Sequence, residues 1–355
     1  MPIPPVVLTP GVSTPAEVEY PPPLRPKLQT QPVTTVPVSS VHVAEPTNVV
    51  EAAKRLAAWT AVDKHVTKDC QVIGIGSGST VPYVVERIVA QGPEVNKDRV
   101  FIPTGFQSKE LIVDAHLRLG DVDQYPHIDV TIDGADEVDK DLNCIKGGGA
   151  CHLREKVLAE AADTWVIVAD YRKNSEILGT NWKQGVPVEV APFAYAKVLH
   201  NLRMLGSTNP KLRMAKMKAG PIVSDNGNFV IDAPFNETEM SDPLTLLTRI
   251  KMLTGVVEVG LFCHMAKAVY FGNQDGSVTA KFYDGHVEHY DKPASPTSEV
   301  PPPPAGREPP HPALLHQLLT ALVSTHDSAR SPDAARDDPP HDTHHADRPP
   351  ATGLH

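Results

Sequence analysis

Val130-Thr-Ile-Asp133-Gly134-Ala135-Asp136-Glu137, then Cys144-Ile-Lys146-Gly147-Gly148-Gly149-Ala150, then Arg154-Glu155-Lys156, is the stretch that decides the fold. A β-branched run delivers two carboxylates at its C-terminal end. A lysine and three glycines follow, and a helix then opens with Arg154 and Glu155 in its first turn. Strand, loop and helix in this order make a βα unit of a parallel sheet, and such sheets bind ligands beyond the carboxyl ends of their strands. Taken singly, Asp133-Gly134 is a turn signal, the glycine run a flexible link and Arg154-Glu155-Lys156 a solvated turn. Together in one unit they bring acids, a lysine and free backbone N–H groups to one pocket, an acid/base site for a small anionic, oxygen-rich substrate.

Working outward, the chain has 355 residues and a net charge of -10. Most of its 36 prolines fall before Thr47 or after Lys292, which leaves one Pro-poor region long enough for a sizeable core. The acidic balance argues against nucleic acid as a partner. No apolar run has the length of a membrane span, and no basic leader or transit-peptide pattern opens the chain. Cys70, Cys144, Cys151 and Cys263 show no Cys-x-x-Cys spacing, so they read as reduced thiols of a cytoplasmic protein with neither zinc nor disulfides.

Residues 1–47 read as a disordered Pro-rich extension. Asn48 to Val66 reads as a helix capped by Thr47, with Lys54 and Arg55 off its apolar stripe. Cys70 to Gly76 reads as a strand that breaks into Ser77-Gly78-Ser79-Thr80 ahead of a helix from Val81 to Ala90. That arrangement offers N–H groups and a positive dipole end to a single phosphate. Gly74-x-Gly76-x-Gly78 lacks the dinucleotide spacing, and no Gly-Lys-Ser/Thr follows, which disfavours NAD and a P-loop. Phe106 to Leu119 reads as a crossover helix, Ile128 to Ile132 as the strand into the site, and Thr164 to Ala169 as a further strand with Lys173 beyond its end.

After Trp182 the pattern changes. A strand at Val186, a helix from Ala194 to Leu205, a strand from Lys211 to Lys216 and a hairpin of Pro221–Ser224 with Asn228–Asp232 follow. A helix from Pro243 and a strand from Val256 complete the β-α-β-β-α-β order of a ferredoxin-like module. The expected fold is α/β: a Rossmann-like parallel sheet flanked by helices over 48–182, a ferredoxin-like α+β subdomain over 183–262, and a return to the first sheet over 263–284. Residues 285–355 read as a disordered Pro/His-rich tail, with one short amphipathic stretch from Ala313.

Gly74-Ile-Gly-Ser-Gly-Ser-Thr80, the Asp133-Gly-Ala-Asp136 block, Lys146-Gly-Gly-Gly149, Arg154-Glu-Lys156 and Ser224-Asp-Asn-Gly-Asn228 together resemble the ribose-5-phosphate isomerases of the A type, in order and spacing from about Val50 to Asp284. The two tails fall outside the resemblance. One departure is Thr104-Gly105-Phe106, where eukaryotic members carry Thr-Ser-Phe; it removes a hydroxyl near the substrate. The resemblance implies interconversion of ribose 5-phosphate and ribulose 5-phosphate in the non-oxidative pentose phosphate pathway, without metal or organic cofactor, by a cytoplasmic homodimer. Carried over, Glu155 looks like the general base and Asp133, Asp136 and Lys146 like its catalytic company. Ser77, Gly78, Ser79, Thr80, Asp133, Gly134, Ala135, Asp136, Lys146, Gly147, Gly148, Gly149 and Lys173 look like the substrate-binding set, with Lys54 near the phosphate. The chemistry agrees: moving a carbonyl to its neighbour needs one carboxylate to take and return a proton through an enediolate, while Lys146 and the glycine N–H groups hold the oxyanion. Two other readings of the scaffold remain, a non-enzymatic sugar-phosphate sensor and a CoA transferase-like enzyme with Glu155 as nucleophile.

Overall fold

The computed structural model describes residues 48–291. The expectations for residues 1–47 and for the amphipathic stretch from Ala313 lie outside the described residues. The chain enters through α1 (Val49–His65), β1 (Val72–Ile75), α2 (Val81–Ala90), the single turn α3 (Pro93–Asn96), β2 (Val100–Pro103) and α4 (Phe106–Asp114). It continues through β3 (Ile128–Asp133), the short β4 (Glu137–Val138) and β5 (Cys144–Ile145), α5 (His152–Ala161) and β6 (Ala162–Asp170). A second group follows: β7 (Val186–Val190), α6 (Tyr195–Met204), β8 (Lys211–Leu212), β9 (Phe229–Ala233), α7 (Glu237–Met240), α8 (Pro243–Lys251) and β10 (Val256–Val259). The described chain closes with β11 (Leu261–Phe262), β12 (Ala268–Gly272), β13 (Val278–Phe282) and β14 (Val287–Tyr290).

The main sheet has seven strands in the order β14-β13-β12-β6-β3-β1-β2, parallel from β2 to β12 and antiparallel at β13 and β14. Both faces are covered, so its strands are apolar on both sides. On β6, Val166 and Val168 join the core under α1 and α2, while Trp165, Ile167 and Ala169 join a second core with Phe262 and Phe271. The same two-residue period acts on β3. Val130 and Ile132 face the first core. Thr131 points the other way and donates its hydroxyl to Leu158 O of α5 at 3.1 Å. Asp133 shares the Thr131 face, so the strand delivers its last carboxylate beneath α5.

The second group forms a four-stranded antiparallel sheet, β10-β7-β9-β8. Numbered within the module this is 4-1-3-2, the ferredoxin-like arrangement that the element order implied. A three-stranded ribbon, β11-β5-β4, joins the two parts.

Four expectations are corrected. Asn48 caps α1, its carboxamide accepting from Val50 N at 2.9 Å. Helix α4 stops at Asp114 and not at Leu119, because His116 adopts φ 55 and the chain doubles back so that Arg118 O and Gly120 N bond Phe101; Leu119 lies on the surface. Pro221–Ser224 is no sheet strand: Pro221 bridges Met214, and the Ser224 hydroxyl collects the Asn226 and Asn228 N–H groups into a local turn. Last, β14 pairs with β13 beyond residue 284, so the sheet runs into what was read as tail.

Candidate active site

Three loops meet beyond the carboxyl ends of β1 and β3, where the strand order reverses. Gly76 makes the closeness possible: a Cβ there would stand 2.1 Å from Asp133 Oδ1, and one at Gly74 would stand 2.1 Å from Thr131 Oγ1. These two glycines therefore make room for a carboxylate and a hydroxyl of β3. Gly78 alone in this loop needs the left-handed region, at φ 105.

Asp133 is fully buried. Its Oδ1 accepts from Ser77 N at 3.0 Å and Gly134 N at 2.7 Å. Its Oδ2 stands 3.0 Å from Lys146 Nζ, which also donates to Gly134 O at 2.5 Å and to Glu155 Oε1 at 3.1 Å. Glu155 reaches the cluster from the first turn of α5, whose buried face is His152, Glu155, Leu158 and Ala159. Ser77 donates its hydroxyl to Glu155 Oε1 at 2.6 Å, and the Cys151 thiol lies 3.0 Å from that hydroxyl. Because the serine proton is committed to Glu155, the thiol is the donor to Ser77. Glu155 Oε2 is buried with no hydrogen-bond partner among the described residues.

Charge and burial set the protonation. Burial pushes the Asp133 carboxyl up to about 6; the Lys146 ammonium pulls it back and Glu155 adds to the rise. Burial alone would lower the Lys146 pKa, but Asp133 and Glu155 outweigh it and raise it, so Lys146 stays charged. Burial and the neighbouring Glu155 push the Cys151 thiol well up, and it stays protonated. The result is two carboxylates around one fixed cation, with one carboxylate oxygen left open.

The remaining residues singled out in the sequence have other partners. Asp136 lies in the turn between β3 and β4 and faces the glycine loop, its Oδ2 accepting from Gly148 N at 2.7 Å. Ser79 and Thr80 precede α2, and Thr80 makes no side-chain cap bond there. Lys54 is buried, pairs with Glu51 at 2.7 Å and helps hold the Asp170 carboxyl low, so it is not the solvent-facing residue that the stripe implied. Lys173 stands on the turn after β6 with its ammonium 5.7 Å from the Trp182 ring. Lys156, beside Glu155, belongs to the scaffold: it ties α5 to Glu258 and to the Val259 and Leu261 carbonyls.

Sequence reasoning missed several residues. Gln107 accepts from Gly78 N at 2.8 Å. Glu137, fully buried, gathers the Gly179, Asn181 and Trp182 N–H groups and so folds the loop that follows Lys173. Asp225 of the small module accepts from Phe106 N at 2.9 Å, and a Cβ at Gly105 would stand 3.0 Å from that carboxylate oxygen. An open cleft of about 760 Å³ lies beyond Gly105, lined by Phe106, Lys109, Arg154 and Asp225; none of Asp133, Lys146 and Glu155 lines it. The quoted Asp136-Glu137 pair was the one available signal for Glu137. Asp225 lies in the quoted Ser224–Asn228 motif, but nothing there announced its bond to Phe106, and Gln107 and the thiol of Cys151 had no signal, because their partners are remote in sequence.

Residues 100–276 match the family model described as ribose 5-phosphate isomerase A (phosphoriboisomerase A). A ribose-5-phosphate isomerase of Cryptococcus neoformans var. neoformans is 69% identical over 267 residues, covering 73% of this chain and 88% of that one. One from Schizosaccharomyces pombe is 60% identical, covering 66% and 85%. Among solved structures, a D-ribose-5-phosphate isomerase in complex with phospho-erythronic acid superposes with a TM-score of 0.61 at 36% identity, covering 66% of this chain and 99% of that one. The Methanocaldococcus jannaschii ribose 5-phosphate isomerase A gives 0.59 at 34%, covering 65% and 99%. The chain belongs to the ribose 5-phosphate isomerase A family.

Proposed function

We propose that the protein interconverts D-ribose 5-phosphate and D-ribulose 5-phosphate through an enediolate, as a step of the non-oxidative pentose phosphate pathway. The observation that carries this reading is the buried Asp133–Lys146–Glu155 cluster with Glu155 Oε2 unpartnered. Glu155 takes the proton from C2 of the open-chain aldose; the electron pair moves into the C1–C2 bond, and the C1 carbonyl oxygen becomes anionic. The same carboxylic acid returns the proton to C1, leaving the carbonyl at C2. Asp133, poised near neutrality, moves protons on the oxygens and opens the furanose ring. Lys146 and the Gly147 and Gly149 N–H groups stabilise the oxyanion, while Asp136 holds the loop through the Gly148 N–H. Ser79, Thr80, Lys54 and Lys173 hold the phosphate, whose binding energy orients the reacting carbons. Ser77, first read with the phosphate loop, positions Glu155.

A phosphate-binding sensor needs no buried base, and the complete acid cluster favours the enzyme. The decisive experiment is ribose 5-phosphate turnover in deuterated water. Ribulose 5-phosphate carrying deuterium at C1 is the expected product, and loss of both turnover and label on Glu155→Gln is the expected control. Absence of turnover by the wild type refutes the reading. The proposal includes a cytoplasmic homodimer. The thiol state of Cys70, Cys144, Cys151 and Cys263 supports the compartment, and the exposed Phe193, Met204 and Met217 support a further apolar contact. Light scattering tests the dimer.

A further inference from the structure

Arg213 lies just past β8 in the small module, and its guanidinium reaches the glycine run of the acid cluster. Nη1 donates to Gly147 O at 2.8 Å and to Gly148 O at 3.1 Å. Nε donates to Asp232 Oδ2 at 2.8 Å, and Nη2 pairs with the other oxygen of the same carboxylate. The backbone is pinned as well: Arg213 N donates to Val230 O at 2.8 Å, and Arg213 O accepts from Ile222 N at 3.0 Å. The planar fork is therefore held from behind by Asp232, with Nη1 aimed forward at the glycine run.

The consequence follows from peptide geometry. In a trans peptide the carbonyl and the next N–H point in opposite directions, and the described chain has no cis peptide. Drawing Gly147 O and Gly148 O toward Arg213 turns the Gly148 and Gly149 N–H groups away from it. The Gly148 N–H lands on Asp136 Oδ2 at 2.7 Å. The Gly149 N–H has no hydrogen-bond partner among the described residues. Within the loop the Ala150 N–H also holds Gly147 O at 3.0 Å, whereas Gly148 O has Arg213 to set which way its peptide faces, and a glycine peptide has no side chain to resist rotation. A flip of either would put a carbonyl oxygen where a donor is required.

We propose that Arg213, aimed by Asp232, is a positioning residue that locks the two peptides from Gly147 to Gly149, so that the Gly148 N–H stays on Asp136 and the Gly149 N–H faces the developing negative charge of the substrate. This deepens the isomerase reading and rests on it. The small module then takes part in catalysis through one side chain that itself touches no reacting atom.

The test uses the full chain and compares Arg213→Met, Arg213→Lys and Asp232→Asn. Deleting an oxyanion donor costs on the order of 10²–10³ in kcat, and a misaimed one costs less, so Arg213→Met is expected to lower kcat about 10- to 100-fold with KM within about threefold. Lysine can still donate to both carbonyls, so Arg213→Lys recovers most of the loss, and Asp232→Asn shows a smaller loss of the same kind. Calorimetry with 4-phosphoerythronate, whose carboxylate mimics the enediolate, is expected to show Arg213→Met losing affinity by the factor it loses in kcat/KM, while inorganic phosphate binds unchanged. Unchanged kcat and unchanged phosphoerythronate affinity overturn the proposal. So does an equal loss of phosphate affinity, or a lysine variant as poor as methionine. The calorimetric arm is read without turnover, so it separates failure of this assignment from failure of the isomerase reading.

Discussion

Replacing Lys146 by methionine keeps most of the side-chain volume and removes the charge. Lys146 stands 3.0 Å from Asp133 and 3.1 Å from Glu155, with side-chain exposures of 2%, 0% and 4% for the three. The variant leaves two buried carboxylates without their cation, a change that costs about 3–5 kcal/mol out of a total stability of about 5–15. The loss depends on pH in a set direction. Asp133 already titrates near 6, raised by burial against the pull of Lys146, and without that pull it rises further. A carboxyl whose folded pKa lies above its unfolded value binds its proton more tightly in the native state. Its contribution to stability is therefore full at acid pH and is lost as pH rises through the folded pKa, at about 1.4 kcal/mol per unit. Lys146→Met is accordingly expected to lie furthest below wild type at about pH 8 and to close much of the gap by about pH 5. Urea titrations, which leave ionic strength unchanged, measure this directly, and the double variant with Asp133→Asn should regain a kilocalorie or more at about pH 8. A loss that is the same at every pH, or under about 1 kcal/mol at pH 8, would refute the charge-cluster argument.

Glu155→Gln should melt near the wild-type temperature and bind phosphoerythronate, yet lose about 10²–10⁴-fold or more in kcat; near-normal turnover of a folded variant removes Glu155 as the base. Thr80→Ala should leave stability nearly unchanged, since the hydroxyl makes no cap bond, and should weaken ribose 5-phosphate by about 0.5–1.5 kcal/mol. Residual turnover of unphosphorylated ribose should not respond to it, and equal losses on both substrates would move the phosphate elsewhere. His152 is buried with its pKa pushed down to about 3, chiefly by burial, with the Lys156 and Arg213 charges adding to the fall. The native state keeps it neutral, so its contribution is present above about pH 6.5 and is lost as pH falls toward 3. His152→Gln should therefore flatten the melting temperature between about pH 6.5 and 4, and an unchanged slope would reassign acid lability to other groups.

The large unit was legible because its signals are local. Alternation on β3 and β6, the Ser77–Thr80 break and the Asp133 and Lys146 blocks each lie within one βα unit, where period and turn chemistry report directly. The 4-1-3-2 module was legible as an order of elements but not strand by strand. Its β8 keeps two residues in the ladder because beyond Arg213 the chain pairs with itself, Ala215 N with Gly220 O and Ile222 N with Arg213 O, and the next turn is held by side chains: Ser224, Asn226 and Asn228 all bond Glu189 Oε1. The end of α4 turned on His116 adopting a left-handed φ, which no neighbouring residue announces. Arg213 was invisible for a deeper reason. Its partners are carbonyl oxygens of glycines some 65 positions away, and a backbone acceptor leaves no residue type to read.

The proposed division of labour has an electrostatic reason. Counted at neutral pH, Asp133, Glu155 and Lys146 sum to one negative charge, in a place where burial weakens screening. A phosphate placed among them would be repelled by both carboxylates, and the reaction adds more negative charge at the substrate oxygens. The phosphate must therefore be held apart from the acids, by donors that carry no proton chemistry. The loop before α2 meets that requirement: it leaves β1, not β3, and offers backbone N–H groups at a positive helix end. The cluster in turn can accept an enediolate only if donors, not carbonyls, face it, which makes the orientation of the glycine peptides as consequential as the identity of the base. Asp133 completes the balance. Its carboxyl is raised to about 6, so added negative charge on the substrate raises it further and favours uptake of a proton as the oxyanion forms. The group that would oppose the intermediate as a carboxylate thus neutralises itself as the intermediate appears.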